Sequence, residues 1–420
     1  MINSKSLLWL LAWYVCVPLQ AQVDNKHSNE SVGTVVATSA VHDSVSRTMP
    51  LLDWPSSVRN QLSQLLEDKL FNTSQVGLMV YDLTADSTLF AYNERQMMRP
   101  GSIMKLLTAI TALDKLGGNY QFKTELYYDG KIENRTLTGD VYCVGGFDPC
   151  FSHDDMHSFL SCVKDLGIDT IRGNLFADKT MKDLNTLGEG WCWDDDNPIL
   201  SPLLYNRKDH FMDQFEDELR SDGIRVEAFS STGRKPANAK LLCVRTHTID
   251  QILLDMMKES DNLYAEAMFY QIAAQGKRTD ISAKDSRVVI NQLIHDVSAN
   301  ATDCRIADGS GLSLYNYVTV KLLVNFLKYA YHNDAVYRHL LPVLPVAGVD
   351  GTLKDRLTDA STRGKVWAKT GTLTGISSLA GYCQAPNGHL LCFAIINQGI
   401  MRSKFGHVFQ DKVCHVLRKP

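Results

Sequence analysis

The 420-residue chain has no long apolar run, no internal repeat, no extended low-complexity tract and no strong excess of charge of either sign. Residues 7–17 are its apolar opening, and they fall short of the roughly 20 residues that a bilayer-spanning helix requires. With Lys5 ahead of it and Pro18-Leu19-Gln20-Ala21 behind, the stretch has instead the layout of a signal peptide cleaved after Ala21. Trp13-Tyr14-Val15 lack the small residues that lipidation at Cys16 would need. A formal net charge of -4 gives no basis for nucleic-acid binding. Removing Cys16 from the ten cysteines leaves an odd number, so at least one thiol is expected to be free. Cys143 and Cys150 flank the Gly145-Gly146 turn and could pair, but spacing alone does not set connectivity. The hydrophobic content of 45% over this length is enough for a large core and for two domains.

What is present is a series of three short polar motifs. Ser102-Ile103-Met104-Lys105 opens an apolar series at helical spacing, Ile103, Leu106, Leu107, Ile110 and Leu113, which Gly117-Gly118 ends. Ser102 is therefore expected at or near a helix N-terminus, with Lys105 on the same face three residues on. A serine hydroxyl becomes a nucleophile when a base takes its proton, and a lysine can act as that base once burial or a nearby cation lowers its pKa. Backbone N–H groups at the helix start also favour an oxyanion. Ser260-Asp261-Asn262 interrupts two apolar segments and suits a turn between helices, where Ser260 can relay a proton and Asn262 can bind an amide. Lys369-Thr370-Gly371-Thr372 lies in a β-prone stretch, 366–373. There Lys369 offers a cation for a carboxylate or for tuning Lys105, the two threonines offer hydroxyls, and Gly371 permits close approach. Singly, these motifs read as a capped helix start, a helix–helix turn and an edge strand with one exposed lysine. Their joint order makes accident a poor account.

In this order the motifs resemble the active-serine apparatus of penicillin-binding proteins and serine β-lactamases. From about Asp53 to the C-terminus the chain is similar to the D-alanyl-D-alanine carboxypeptidase/endopeptidases of the low-molecular-mass class C penicillin-binding proteins. Asp308-Gly309-Ser310-Gly311-Leu312-Ser313, Gly348-Val349-Asp350-Gly351-Thr352-Leu353 with Arg356, Gly145-Gly146-Phe147-Asp148-Pro149 and Gly173-Asn174-Leu175-Phe176-Ala177-Asp178 all resemble segments of that family. The resemblance implies Ser102 as the acylated nucleophile, Lys105 as its general base, and Ser260 and Asn262 as proton relay and substrate-amide ligand. It implies Lys369, Thr370, Gly371 and Thr372 as the recognition strand for a terminal carboxylate, and the backbone N–H groups of Ser102 and Thr372 as the oxyanion hole. The implied fold is α/β (α+β): a β-lactamase/transpeptidase-like catalytic domain with an antiparallel sheet and flanking helices, interrupted by a β-rich mixed insertion. The implied activity is that of a serine-type D-Ala-D-Ala carboxypeptidase acting on peptidoglycan stem peptides and inhibited by β-lactams. No cofactor, metal or nucleic acid is expected, and the protein is expected to be exported to the bacterial periplasm, with room for a peripheral association with the envelope.

The expected layout is a signal peptide at 1–21, a flexible leader at 22–49, catalytic segments at 50–120 and 247–420, and one inserted domain at 121–246. The interval from Ser102 to Ser260 is shorter than in family members that carry two inserted domains. Residues 75–82 with 88–93, and 376–384 with 389–397, read as hairpins. Residues 170–177 read as one strand and 154–166 as the clear helix of the insertion, with later helices at 282–299, 318–331 and 403–418. Three rival functions are weaker. A serine β-lactamase commonly places a water-activating Glu in a Glu-x-x-Leu-Asn segment, and none lies between Asn262 and Lys369. A non-catalytic penicillin-binding scaffold predicts a damaged motif. A zinc hydrolase could be argued from His153 and His157, but Asp154 stands where zinc proteases have Glu, and no third ligand is evident.

Overall fold

A computed structural model describes residues 53–419 apart from 194–196, 228, 276–278 and 299–303. The expected signal peptide and leader lie outside the described residues. Helix α1 (Trp54–Leu65) precedes the hairpin of β1 (Gln75–Asp82) and β2 (Ser87–Tyr92). The apolar series after Ser102 forms α2 (Met104–Leu116), entered through a 3₁₀ turn at Gly101–Ile103 and closed at Gly117 with φ +80°. Residues 121–248 then supply β3 (Gln121–Tyr128), β4 (Lys131–Glu133), β5 (Thr136–Thr138), β6 (Val141–Gly145), α3 (His153–Asp165), β7 (Thr170–Arg172), β8 (Leu175–Asp178), α4 (Phe211–Ser221), β9 (Arg225–Val226), β10 (Ser230–Thr232) and β11 (Lys240–Thr248). Helices α5 (Ile249–Lys258), α6 (Asn262–Ala274), α7 (Ala283–Val297), α8 (Val320–Tyr331) and α9 (Asp334–Val343) follow, then β12 (Val366–Leu373), β13 (Ile376–Gln384), β14 (Leu390–Gln398) and α10 (Ser403–Leu417).

The sheet that positions the motifs is antiparallel throughout, in the order β12-β13-β14-β1-β2. Its strands are covered on both faces, and side-chain alternation divides them between two cores. Val76, Leu78, Val80, Leu391, Phe393 and Ile395 join α1 and α10 in one core. Met79, Tyr81, Cys392, Ala394 and Ile396 join α2, α5, α6 and α8 in the other. Burial on both faces explains why β1 and β14 read as continuous apolar runs.

Residues 121–248 build two further sheets, ordered β10-β8-β6-β3-β11 and β4-β5-β7-β9. They enclose a core of their own, with Leu126, Phe151, Phe159, Phe211 and Phe215 at its centre. The single strand expected at 170–177 is two strands in different sheets. The chain breaks at Gly173, where a side chain would run into the Gly139 carbonyl. Helix α4 was not evident from the sequence because its buried stripe is one residue wide: Phe211, Phe215 and Leu219 stand among acidic residues. Cys143 lies in the core formed within residues 121–248 and Cys150 contacts the Tyr264 hydroxyl at 3.7 Å, and both are free thiols.

Leu107 on α2 is fully buried, whereas β4 is exposed at all three positions. We predict that Leu107→Ala lowers unfolding free energy by about 2–5 kcal/mol, the usual cost of a core cavity. Lys131→Ala should stay within about 0.5 kcal/mol in the same denaturant titration.

Candidate active site

Ser102 sits in the 3₁₀ turn that feeds α2, and Lys105 lies in the first turn of that helix. The Lys105 ammonium is fully buried and donates to three acceptors: Ser102 Oγ at 3.1 Å, Asn262 Oδ1 at 2.7 Å and the Ser310 carbonyl at 2.8 Å. Burial draws its pKa down to about 8, against the raising effect of Asp308, Glu266 and Asp261. A group in that range can lose its proton near neutral pH and then accept one from the serine hydroxyl.

Asn262 begins α6, and Ser260 lies between α5 and α6 with φ +62°, a left-handed conformation uncommon outside glycine. That turn brings Ser260 to Lys369. Alternation along β12 puts Val366 and Ala368 against α10 and its neighbours, and so turns Lys369 towards α2 and α6. Fully buried, Lys369 donates to Ser260 Oγ at 2.7 Å and to the Thr370 carbonyl at 2.9 Å. Its pKa is held well below the ordinary lysine value, first by burial and then by the Lys105 charge. The two motif lysines thus share one buried site on either side of the serines.

Gly371 lets β12 come down on the serine turn, because a Cβ there would lie 2.9 Å from the Ser102 backbone N and would strike the Ser378 hydroxyl. A Cβ on Gly101 would lie 3.4 Å from Thr372 N, so the Ser102 and Thr372 amides border the same small space. Thr370 Oγ1 donates to Thr352 Oγ1 at 2.7 Å, and Thr372 is exposed at the outer end of the strand. Lys258, at the end of α5, fixes the segment before Thr352 by bonding both Asp350 carboxylate oxygens, at 2.8 and 2.7 Å.

Several supporting residues were not assigned roles from the sequence. Glu266, buried on α6, accepts from the backbone N–H groups of Gly309 and Ser310 at 3.1 and 2.8 Å. Burial, followed by the Asp308 charge, pushes its pKa up to about 8. Asp308 accepts from Gly311 N, Ser313 N, Asn316 Nδ2 and Trp191 Nε1, which locks the loop whose Ser310 carbonyl meets Lys105. Glu266 had a sequence signal: it is a lone carboxylate within a helix whose other residues are mostly apolar. Trp191 had none, being far from every motif in the chain. Its arm also delivers Arg207, which pairs with Asp261 and borders a cleft of about 490 Å³ that reaches Asn262.

His153 and His157 stand on one face of α3 with their Nε2 atoms 2.9 Å apart, while Asp155 is engaged by Ser152 and Arg245. No group of three or more His, Cys, Asp or Glu side chains suited to a metal occurs among the described residues.

Replacing Glu266 with Gln retains an oxygen for the Gly309 and Ser310 amides, whereas Ala leaves both buried donors without it. We predict that Glu266→Ala costs about 1–3 kcal/mol for each orphaned donor and slows modification of Ser102, with Glu266→Gln much milder on both counts. Denaturant titration and the rate of covalent labelling at Ser102 measure the two effects.

Residues 58–204 and 200–418 match the D-Ala-D-Ala carboxypeptidase 3 (S13) family. The D-alanyl-D-alanine carboxypeptidase of Actinomadura sp. (strain R39) is 26% identical, with 82% of this chain and 81% of that protein covered. Penicillin-binding protein 4 of Haemophilus influenzae has a similar fold at a TM-score of 0.74 and 23% identity, with 84% of this chain and 97% of that one covered. Its structure with a β-lactam aligns at 0.71 and 23% identity, covering 88% and 100%. The match spans all three motifs and the segment between the first two, and the chain belongs to the D-Ala-D-Ala carboxypeptidase 3 (S13) family.

Proposed function

We propose that this serine-type D-Ala-D-Ala carboxypeptidase works through an acyl-enzyme at Ser102, with Lys105 as the base and Lys369 as the carboxylate-binding cation. The observation that carries this reading is the Lys105 ammonium, buried and bonded at once to Ser102 Oγ, Asn262 Oδ1 and the Ser310 carbonyl. In its neutral form Lys105 takes the Ser102 proton as Oγ attacks the penultimate D-Ala carbonyl. The oxyanion that forms is received by the Ser102 and Thr372 amides. As the tetrahedral intermediate collapses, the terminal D-Ala amine leaves with a proton supplied through the Ser260 hydroxyl, which Lys369 already touches at 2.7 Å. Water then hydrolyses the ester. Asn262 holds the substrate amide, while Lys369, Thr370 and Thr372 hold the terminal carboxylate.

Peptidoglycan stem peptides supply the D-Ala-D-Ala end, and a β-lactam mimics it closely enough to acylate the same serine. Cleavage of cross-linked stems, the endopeptidase reaction, uses the same acyl donor with a larger leaving group, for which the cleft beside Asn262 is open. This substrate places the enzyme outside the cytoplasmic membrane, in agreement with the signal-like start of the chain. In the domain division we propose, residues 50–120 and 247–420 form the catalytic part and 121–246 the insertion. The separate core of Leu126, Phe159 and Phe215 supports that division.

Labelled penicillin is expected to form a stable ester on Ser102, with Ser102→Ala abolishing labelling and Lys105→Ala slowing it by about 10² or more. Label on any other residue in intact-mass and peptide mapping would reject the assignment. Lys369→Ala should reduce cleavage of a peptide with a free D-Ala carboxylate by about 10–100-fold, the worth of one charge-assisted hydrogen bond. Amidating that carboxylate should harm the native enzyme far more than the variant. Equal losses on both peptides would leave Lys369 without a role in carboxylate recognition.

A further inference from the structure

One pair of residues outside the catalytic machinery is aligned across two elements. Helix α3 runs along the edge strand β11, and its first turn is fixed there by Asp155, which accepts from Arg245 Nε at 2.8 Å and lies 3.6 Å from His247 Nε2. Asp155 and Cys162 are seven residues apart, two turns on the same helix face, or about 10 Å along the axis. On the strand, Asp155 sits level with the residue between Arg245 and His247. Cys243 is three residues back from that point, again about 10 Å. The two spacings match, with α3 and β11 running antiparallel, and they bring Cys162 opposite Cys243. The two thiols face each other closely enough that Cys162 raises the Cys243 pKa.

The strand is built to present Cys243 in this direction. Its pairing with β3 slips by one residue between Leu241 and Cys243. Such a bulge moves every following side chain to the opposite face. Cys243, Arg245 and His247 consequently share the face of Leu126, Thr124 and Phe122, all buried, while Leu241 before the slip is 53% exposed. Both cysteines are half-buried, open enough to meet a small oxidant.

We propose that Cys162 and Cys243 are joined by a disulfide that staples α3 to β11 when the chain meets a disulfide oxidant. The Cys162 thiol loses its proton and attacks one sulfur of the oxidant's disulfide, forming a mixed disulfide and releasing one thiolate. Cys243 then loses its proton and attacks the Cys162 sulfur, releasing the second thiolate. Two protein thiols are oxidised and the oxidant's disulfide is reduced to two thiols. Burial, and after it the adjoining Cys162, pushes the Cys243 pKa up to about 12, so this bridge is structural and not a reactive catalytic pair. The loop it closes contains the arm that brings Trp191 to Asp308 and Arg207 to Asp261. The staple therefore secures the root of the segment that reaches from the insertion to the active site.

The test uses the purified full chain, incubated with glutathione disulfide, unfolded in iodoacetamide without reductant, digested and mapped by mass spectrometry. We expect the Cys162 peptide linked to the Cys243 peptide, two hydrogen masses lighter than their sum and separated by reduction, while exposed Cys192 carries a glutathione or alkyl adduct. The oxidised protein should melt several degrees above the reduced one, a difference absent in Cys162→Ala. Should that variant fail to fold, the mapping on the native chain decides alone. Finding Cys162 and Cys243 separately alkylated or glutathionylated after oxidation, or linked to other cysteines, overturns the proposal.

Discussion

Everything at the active site depends on keeping one ammonium group, Lys105 Nζ, in a fully buried position where three oxygens and, among the described residues, no carboxylate touch it directly. Neutral acceptors from Ser102, Asn262 and Ser310 satisfy its hydrogens without the full stabilisation that a contacting carboxylate would give. Burial can then draw the pKa to about 8 while Asp308, Glu266 and Asp261 act only from a distance. A carboxylate moved into contact would hold the proton firmly, and a solvated lysine would keep its ordinary pKa. Either change would remove the base we propose.

The three acceptors come from three different parts of the chain, so the surrounding fold serves to hold them in register. Ser102 is set by the 3₁₀ turn against which β12 packs at Gly371. Asn262 is set by the left-handed Ser260 and by Asp261, which caps α6 at Tyr264 N and pairs with Arg207. The Ser310 carbonyl is set by Glu266 and Asp308, with Trp191, from the segment between the first two motifs, holding Asp308 at 2.8 Å. Gly311, at φ +82°, allows this loop to pass the serine turn, since a side chain there would strike the Gly101 carbonyl. Two of these three supports draw on residues 121–248, which therefore contribute to the geometry of the proposed site as well as adding a core of their own.

The parts of this arrangement visible in the sequence were those whose signal is local or periodic. Ser102 and Lys105 are one helical turn apart, and the β-prone run around Lys369 has an alternation that sets which way the lysine points. The order of the motifs carried the family resemblance. Glu266, the Ser310 carbonyl and Trp191 were hidden for a common reason: each acts through a partner remote in the chain, and backbone acceptors leave no trace in residue identity. The segment at 121–246 was legible as β-rich but not in its connections. Gly173 breaks one apolar stretch into strands of two sheets, and the one-residue slip before Cys243 reverses which side of β11 faces α3. Both are decided by backbone contacts between segments that the sequence leaves far apart.

The central claim is that neutral Lys105 takes the Ser102 proton, and the pH dependence of the second-order rate of Ser102 acylation by a β-lactam tests it most directly. The base must be deprotonated, so the rate should rise with pH through an apparent pKa near 8 and then level off. A rate that is level through pH 8 or falls there would contradict the account.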